Sequence, residues 1–71
     1  MLDPEDLSPA DESVLDLLRD GRVTAPYVRE ETDYSLQYIR DVLSRLVEHE
    51  HVRKVHDGLY ELVEDPRDNR E

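Results

Sequence analysis

The sequence reads as a mainly α domain that ends in a small β-hairpin. Residues that favour helix starts, Ser8-Pro9, Thr24-Ala25-Pro26 and Ser35, stand ahead of three segments whose apolar residues recur at helical spacing. An Asp57-Gly58 pair then separates two β-prone runs, 51–56 and 59–63, which is a strong short-range hairpin signal. A chain of 71 residues makes one small domain, near the lower limit at which a single core holds without staples.

The first helix is expected over roughly 9–20. Ser8 can accept from exposed N–H groups, Pro9 fits the first helical position, and Asp11 and Glu12 complement the dipole. Val14, Leu17 and Leu18 carry its apolar face, Leu15 widens that face, and Gly21 ends the helix as a C-terminal cap would. Arg22-Val23-Thr24 is too short for more than a bridge or a stub of strand. Thr24 caps a second, short helix that begins at Ala25-Pro26, buries Val28 and breaks at Thr32-Asp33. Ser35 caps the third helix, which runs to about Glu50.

At about 100° per residue, Ile39, Leu43, Leu46 and Val47 fall on one side of that helix, with Val42 at its edge. Gln37, Asp41, Ser44, Arg45 and Glu48 fall on the other, flanked by Tyr38 and Arg40. A two-residue loop at Asp57-Gly58 sets Val55 opposite Tyr60 and Arg53 opposite Leu62 on one face of the hairpin. Residues 1–7 form a flexible acidic leader and 8–63 the folded domain. Residues 64–71 are a charged tail containing Pro66 that is expected to be disordered and to fray.

Nine basic and 19 acidic side chains give a formal net charge of −10, unevenly spread. Residues 1–33 carry 3 basic and 10 acidic side chains, and 57–71 carry 2 and 6. Residues 34–56 carry 4 and 3, together with all three histidines. An acidic protein repels polyanions, so the segment spared from acid marks where one could approach. Carboxylate excess with eight Arg and the single Lys54 fits a halophilic surface kept hydrated in concentrated salt. The other reading, an acidic disordered chain, conflicts with the periodic apolar residues from Val14 to Val63.

Cysteine is absent, which excludes disulfides and thiolate metal sites. No apolar run is long enough to span a membrane, and no basic-then-apolar leader opens the chain. A soluble cytoplasmic protein is expected. With four Tyr but no Phe or Trp, the core must be mostly Leu, Val and Ile. So small a core suggests that a second copy completes it. Leu2, Leu7 and Leu15 are candidates for that homodimer surface, as is the end of the third helix with the tail.

Three helices, the second short and joined to the third by a tight turn, then a hairpin, is the winged helix-turn-helix order. A stiff third helix that is apolar on one side only suits a major groove, while its inner side packs on the first two helices. Particular motifs add to this topology. They are Leu7-Ser8-Pro9-Ala10-Asp11-Glu12, then Tyr38-Ile39-Arg40 followed by Leu46-Val47-Glu48-His49, then Gly58-Leu59-Tyr60-Glu61-Leu62 ahead of Asp65-Pro66-Arg67.

On these residues the chain resembles, over nearly its whole length, the small winged-helix proteins of haloarchaea related to phage repressors. The resemblance implies a transcriptional regulator that binds duplex DNA as a dimer, with no cofactor and no catalysis. One departure from it is Glu50, where those proteins usually have Gly. A glutamate does not take a left-handed backbone cheaply. The third helix must therefore run longer or end with strain, which bears on the angle between helix and hairpin.

The candidate DNA contacts are Ser35, Gln37, Tyr38, Arg40, Asp41, Ser44 and Arg45 on the third helix, and Arg53, Lys54 and His56 on the hairpin. Gln pairs bidentately with adenine and Arg with guanine, while Asp accepts from the cytosine amino group. The plainer reading is a solvated helix face on which Asp41 and Arg45 form an i,i+4 pair. Asp41 is the weakest member, since phosphates repel it unless it finds its one base.

Tyr38 reaches a phosphate or a thymine methyl, or else packs over the second helix beside Tyr27; Tyr34 and Tyr60 are read as packing. Lys54 and His56 share a hairpin face and suit phosphates. Arg53 pairs along the strand or covers the core with its stem. His49 and His51 alternate with Glu48 and Glu50, but no closed metal-ligand set follows, so both are read as surface residues.

Two function classes remain. One is a sequence-specific, repressor-like regulator bound to double-stranded DNA, with its third helix in the major groove and its wing on the flanking backbone. The other is a protein-interaction or dimerisation module on the same scaffold. A neutral or positive surface over Gln37–Arg45 and Lys54–His56 favours the first, and one swamped by Glu48, Glu50 and the acidic leader the second. No nucleophile–base pair, metal set or phosphate-cradling glycine loop points to an enzyme, and no small-molecule pocket is expected.

Overall fold

The first helix, α1 (Pro9–Arg19), starts on a reciprocal capping box. The Ser8 side chain accepts from the Asp11 N–H, and the Asp11 carboxylate accepts from the Ser8 N–H. Thr24 caps α2 (Ala25–Glu31) and Ser35 caps α3 (Leu36–Glu48), each by accepting from the N–H three residues on. These bounds come from a computed structural model that describes residues 4–68. Leu2 and the start of the expected leader, and residues 69–71 of the expected tail, lie outside it.

Three strands complete the domain: β1 (Val23–Thr24), β2 (Val52–His56) and β3 (Leu59–Leu62). They form one antiparallel sheet in the order β1-β3-β2. The molecule is thus a small mixed domain of three helices and a three-stranded antiparallel sheet, a layout consistent with a winged helix. The two-stranded hairpin expected from the sequence gains a third strand because β1 pairs Val23 with Tyr60 and Thr24 with Leu59. No helix among the described residues is long and apolar enough to cross a membrane.

The core is built from Val14, Leu15 and Leu18 of α1, Val28 of α2, Ile39, Val42, Leu43 and Leu46 of α3, and Val23 and Val52 of the sheet. Leu15 is fully buried, so it does not belong to an exposed dimer surface, and Leu7 packs partly buried against the same core. The apolar face of α1 is therefore centred one residue position away from Leu17, which stays half-buried.

Glu50 resolves the end of α3. Its φ is 67°, in the left-handed region. The His51 N–H bonds to the Leu46 carbonyl and the Glu50 N–H to the Val47 carbonyl, both at 3.0 Å. That is the Schellman ending normally closed by glycine. The helix ends with strain; it does not run on.

The expected hairpin register holds only at its tip. His56 pairs with Leu59, but a bulge follows, and Lys54 pairs with Tyr60, Arg53 with Glu61 and Val52 with Leu62. The cause lies in the turn. Only Gly58 has positive φ (76°), and Asp57 does not, so this is not a mirror-image two-residue turn. The strands recover their twist through the extra residue, Val55.

Two further expectations are corrected. His51 is completely buried, with Nδ1 3.0 Å from the Glu64 carbonyl, so it is a core residue and not a surface one. Beyond β3 the chain does not leave the domain: Asp65 and Pro66 are buried, and a 3-10 turn covers Pro66–Asp68. Arg19 and Arg67 both bind the Asp65 carboxylate, and Arg67 also reaches Asp16 of α1 at 2.8 Å. Burial works to raise the pKa of Asp65, but hydrogen bonds from Arg67, backbone and side chain, and from Arg19 outweigh it and hold the group at about 2.

Candidate functional site

The exposed side of α3 is a continuous polar strip. Gln37, Tyr38, Arg40, Asp41 and Ser44 are exposed, while Ile39, Val42, Leu43 and Leu46 face the core. Packing on α1, α2 and β2 therefore fixes which side is shown to solvent. Ser35, also exposed, uses its hydroxyl on the Tyr38 N–H at 3.2 Å. As the cap, it sets where the strip begins.

Within the strip, Asp41 does not form the i,i+4 pair with Arg45 that the plainer reading assigned to it. Gln37 Nε2 donates to Asp41 Oδ1 at 3.1 Å instead. One amide hydrogen is spent there, which leaves the other hydrogen and Oε1, the donor and acceptor that a bidentate adenine contact requires. The Tyr34 and Tyr38 rings sit 5.3 Å apart at 53°, a tilted aromatic pair. Tyr34 is partly buried against the core, whereas Tyr38 remains 43% exposed, so the second is the more accessible of the two.

Arg45 is the member that the structure moves furthest from its expected role. Its Nη2 lies 2.8 Å from Oδ2 of Asp11, whose side chain is wholly buried. The guanidinium thus ties α3 to the capping box of α1, and Arg45 acts first as an anchor. Arg40 differs: among the described residues no carboxylate is bound to it.

The hairpin residues are also occupied. Arg53 Nε donates to Glu61 Oε1 at 2.9 Å across the strands. Lys54 Nζ is 3.9 Å from Asp57, a loose contact to a carboxylate that is 96% exposed. His56 is exposed at the turn. The alternation that was to set Lys54 and His56 on one face is interrupted between them by the bulge. Tyr60 is partly buried against the core, as expected.

Sequence reasoning missed three contributors: Asp11, Glu61 and Arg22. The first had a signal, because Ser8-x-x-Asp11 is a capping-box spacing and places that carboxylate at the start of α1. Arg22 and Glu61 had none, since their approach at 3.6 Å depends on β1 joining the sheet. Among the described residues, no group of three His, Asp or Glu side chains is arranged to hold a metal ion. Comparison of the chain with protein-family models, with curated proteins and with solved structures found no match.

Proposed function

We propose that this chain is a winged-helix protein of the haloarchaeal, phage-repressor-like kind that regulates transcription by binding double-stranded DNA in the cytoplasm. In this reading α3 enters the major groove, the β2–β3 hairpin lies on the flanking backbone, and two copies bind a pseudo-palindrome. It uses no cofactor and does no catalysis.

The observation that carries the reading is the outward strip of α3. Gln37, Arg40, Asp41 and Ser44 lie on a stiff helix of 13 residues, locked to α1 by the core and by the Arg45–Asp11 pair. Arg40 and Asp41 cancel in charge, so the strip is neutral from Gln37 to Ser44, with the exposed Glu48 beyond it, in a molecule of net charge −10. It also offers the donor and acceptor types that read base edges.

One observation favours the alternative, a docking module for another protein. Arg45, Arg53 and Lys54 each have a carboxylate within 4 Å, which leaves Arg40 as the one cation of segment 34–56 with none bound among the described residues. Titration of the duplex DNA that flanks its own coding sequence, at molar KCl, separates the two. Saturable binding that an unrelated duplex does not compete away supports the regulator; no binding at any concentration supports the docking module.

A further inference from the structure

A groove on the outer face of the sheet lies apart from the α3 strip. Tyr60 and Leu62 of β3 pack on the core, so Leu59 and Glu61 point the other way by the period of two. β2 sets Arg53 opposite Glu61, and Arg22 leads into β1 on the other flank of β3. The Glu61 carboxylate therefore sits between two guanidiniums, 2.9 Å from Arg53 and 3.6 Å from Arg22.

Both arginines are largely in solvent, with 66% and 58% of their side chains exposed, whereas Glu61 is 29% exposed. The hydrogen bond from Arg53, helped by the charges of Arg53 and Arg22, holds the Glu61 carboxyl below its usual range against a smaller effect of burial. The groove continues over Val55 and Leu59 to Lys54 and His56.

Two forks of N–H donors sharing one carboxylate are only partly used, and a phosphate fits such forks at least as well. Two guanidiniums, Arg22 and Arg53, face the single charge of Glu61 here, which makes this a locally positive surface on a strongly acidic protein. We infer that the groove is a second contact for the phosphodiester backbone of DNA, in which a phosphate replaces Glu61 between Arg22 and Arg53. This rests on the DNA-binding reading above. Glu61 is then a built-in competitor. It keeps the groove from holding arbitrary polyanions, because each phosphate must displace a carboxylate already in place.

The test is a fluorescence-anisotropy titration of a specific and an unrelated duplex with wild type, Glu61→Gln, Arg22→Ala and Glu30→Gln. Glu30 is exposed on α2, so the last variant makes the same charge change away from the groove. Glu61→Gln should tighten binding to both duplexes about three- to tenfold at moderate salt. It should also steepen the log–log salt slope by about one phosphate's worth, near 0.9. Arg22→Ala should weaken both duplexes alike, and Glu30→Gln should stay within about twofold of wild type.

If wild type binds duplex but Glu61→Gln and Arg22→Ala behave like Glu30→Gln, the groove is not a backbone contact and the α3 reading stands. If wild type binds no duplex, both fail together. Binding of a polyglutamate peptide in the groove that excludes DNA, seen as shifts of the Arg22 and Arg53 side-chain NMR signals, would also overturn the inference.

Discussion

Asp11, His51 and Asp65 are buried in a core otherwise made of Ala, Val, Leu and Ile, and each fastens a chain segment to that core. Asp11 joins the start of α1 to α3 through Arg45, and His51 receives the chain after β3 at the Glu64 carbonyl. Asp65 is gripped by Arg19 and Arg67 with its own side chain 1% exposed. Its pKa falls from the ordinary 3.8 to about 2 on folding. A carboxylate depressed in this way adds stability that is fully present above its ordinary pKa and is lost as pH falls through about 2. The size is on the order of 2 kcal/mol. Urea unfolding of wild type and Asp65→Asn should therefore differ by that amount near neutrality and converge between about pH 4 and pH 2. A gap that stays constant over this range would show that the Asp65 charge is not what fastens residues 64–67.

At the scale of elements, much of the fold was legible because its signals are local. Ser8, Thr24 and Ser35 cap the helices they were read to cap, and Ile39, Leu43 and Leu46 form the inner face of α3. What was not legible depends on contacts distant in sequence. Arg45 finds Asp11 34 positions away, and it could not be told from an Arg45–Asp41 pair by spacing alone. The hairpin slipped by one residue because the backbone of Asp57 stays at negative φ, a choice the Asp-Gly pair does not reveal. Docking of residues 64–67 was hidden by their charge, since a polar tail reads as solvated until its partners on α1 are known.

Two predictions belong to α3. A non-glycine residue held left-handed costs about 1 kcal/mol, partly offset by the greater freedom of glycine in the unfolded chain. Glu50→Gly should thus stabilise by about 0.5 kcal/mol, and calorimetry should show a Tm rise of about 2–4 °C. A fall in Tm would mean that the Glu50 side chain contributes more than its backbone costs. On the outer face, Gln37→Ala and Arg40→Ala should each remove about 1–3 kcal/mol of discrimination against wrong bases. Lys54→Ala should weaken all duplexes alike. Competition binding with single-base variants of the site reads both effects, and unchanged base preference in the α3 variants would remove α3 from recognition.

For the whole molecule, the arrangement of charge carries the most consequence. Arg45, Arg53 and Lys54 sit beside Asp11, Glu61 and Asp57, so a phosphate reaching them displaces carboxylates as much as it releases counterions. An ordinary regulator loses affinity with a slope near −0.9 per phosphate neutralised, and at molar salt the Debye length is only about 3 Å. DNA affinity here should accordingly stay roughly flat, or rise, as KCl goes from a few tenths molar to above one molar. A steep, steady loss in an anisotropy titration would end the halophilic reading of the surface. One recognition helix with a short wing also spans too few base pairs for specificity, which is why two copies on a symmetric site are expected. Selection from a pool of random duplexes by the immobilised protein at molar KCl tests sequence-specific binding without knowledge of the operator. The outcome expected is enrichment of one motif with two inverted half-sites about one helical turn apart, abolished in Gln37→Ala/Arg40→Ala. A pool that stays random, or one enriched equally by the double variant, would contradict DNA recognition by α3.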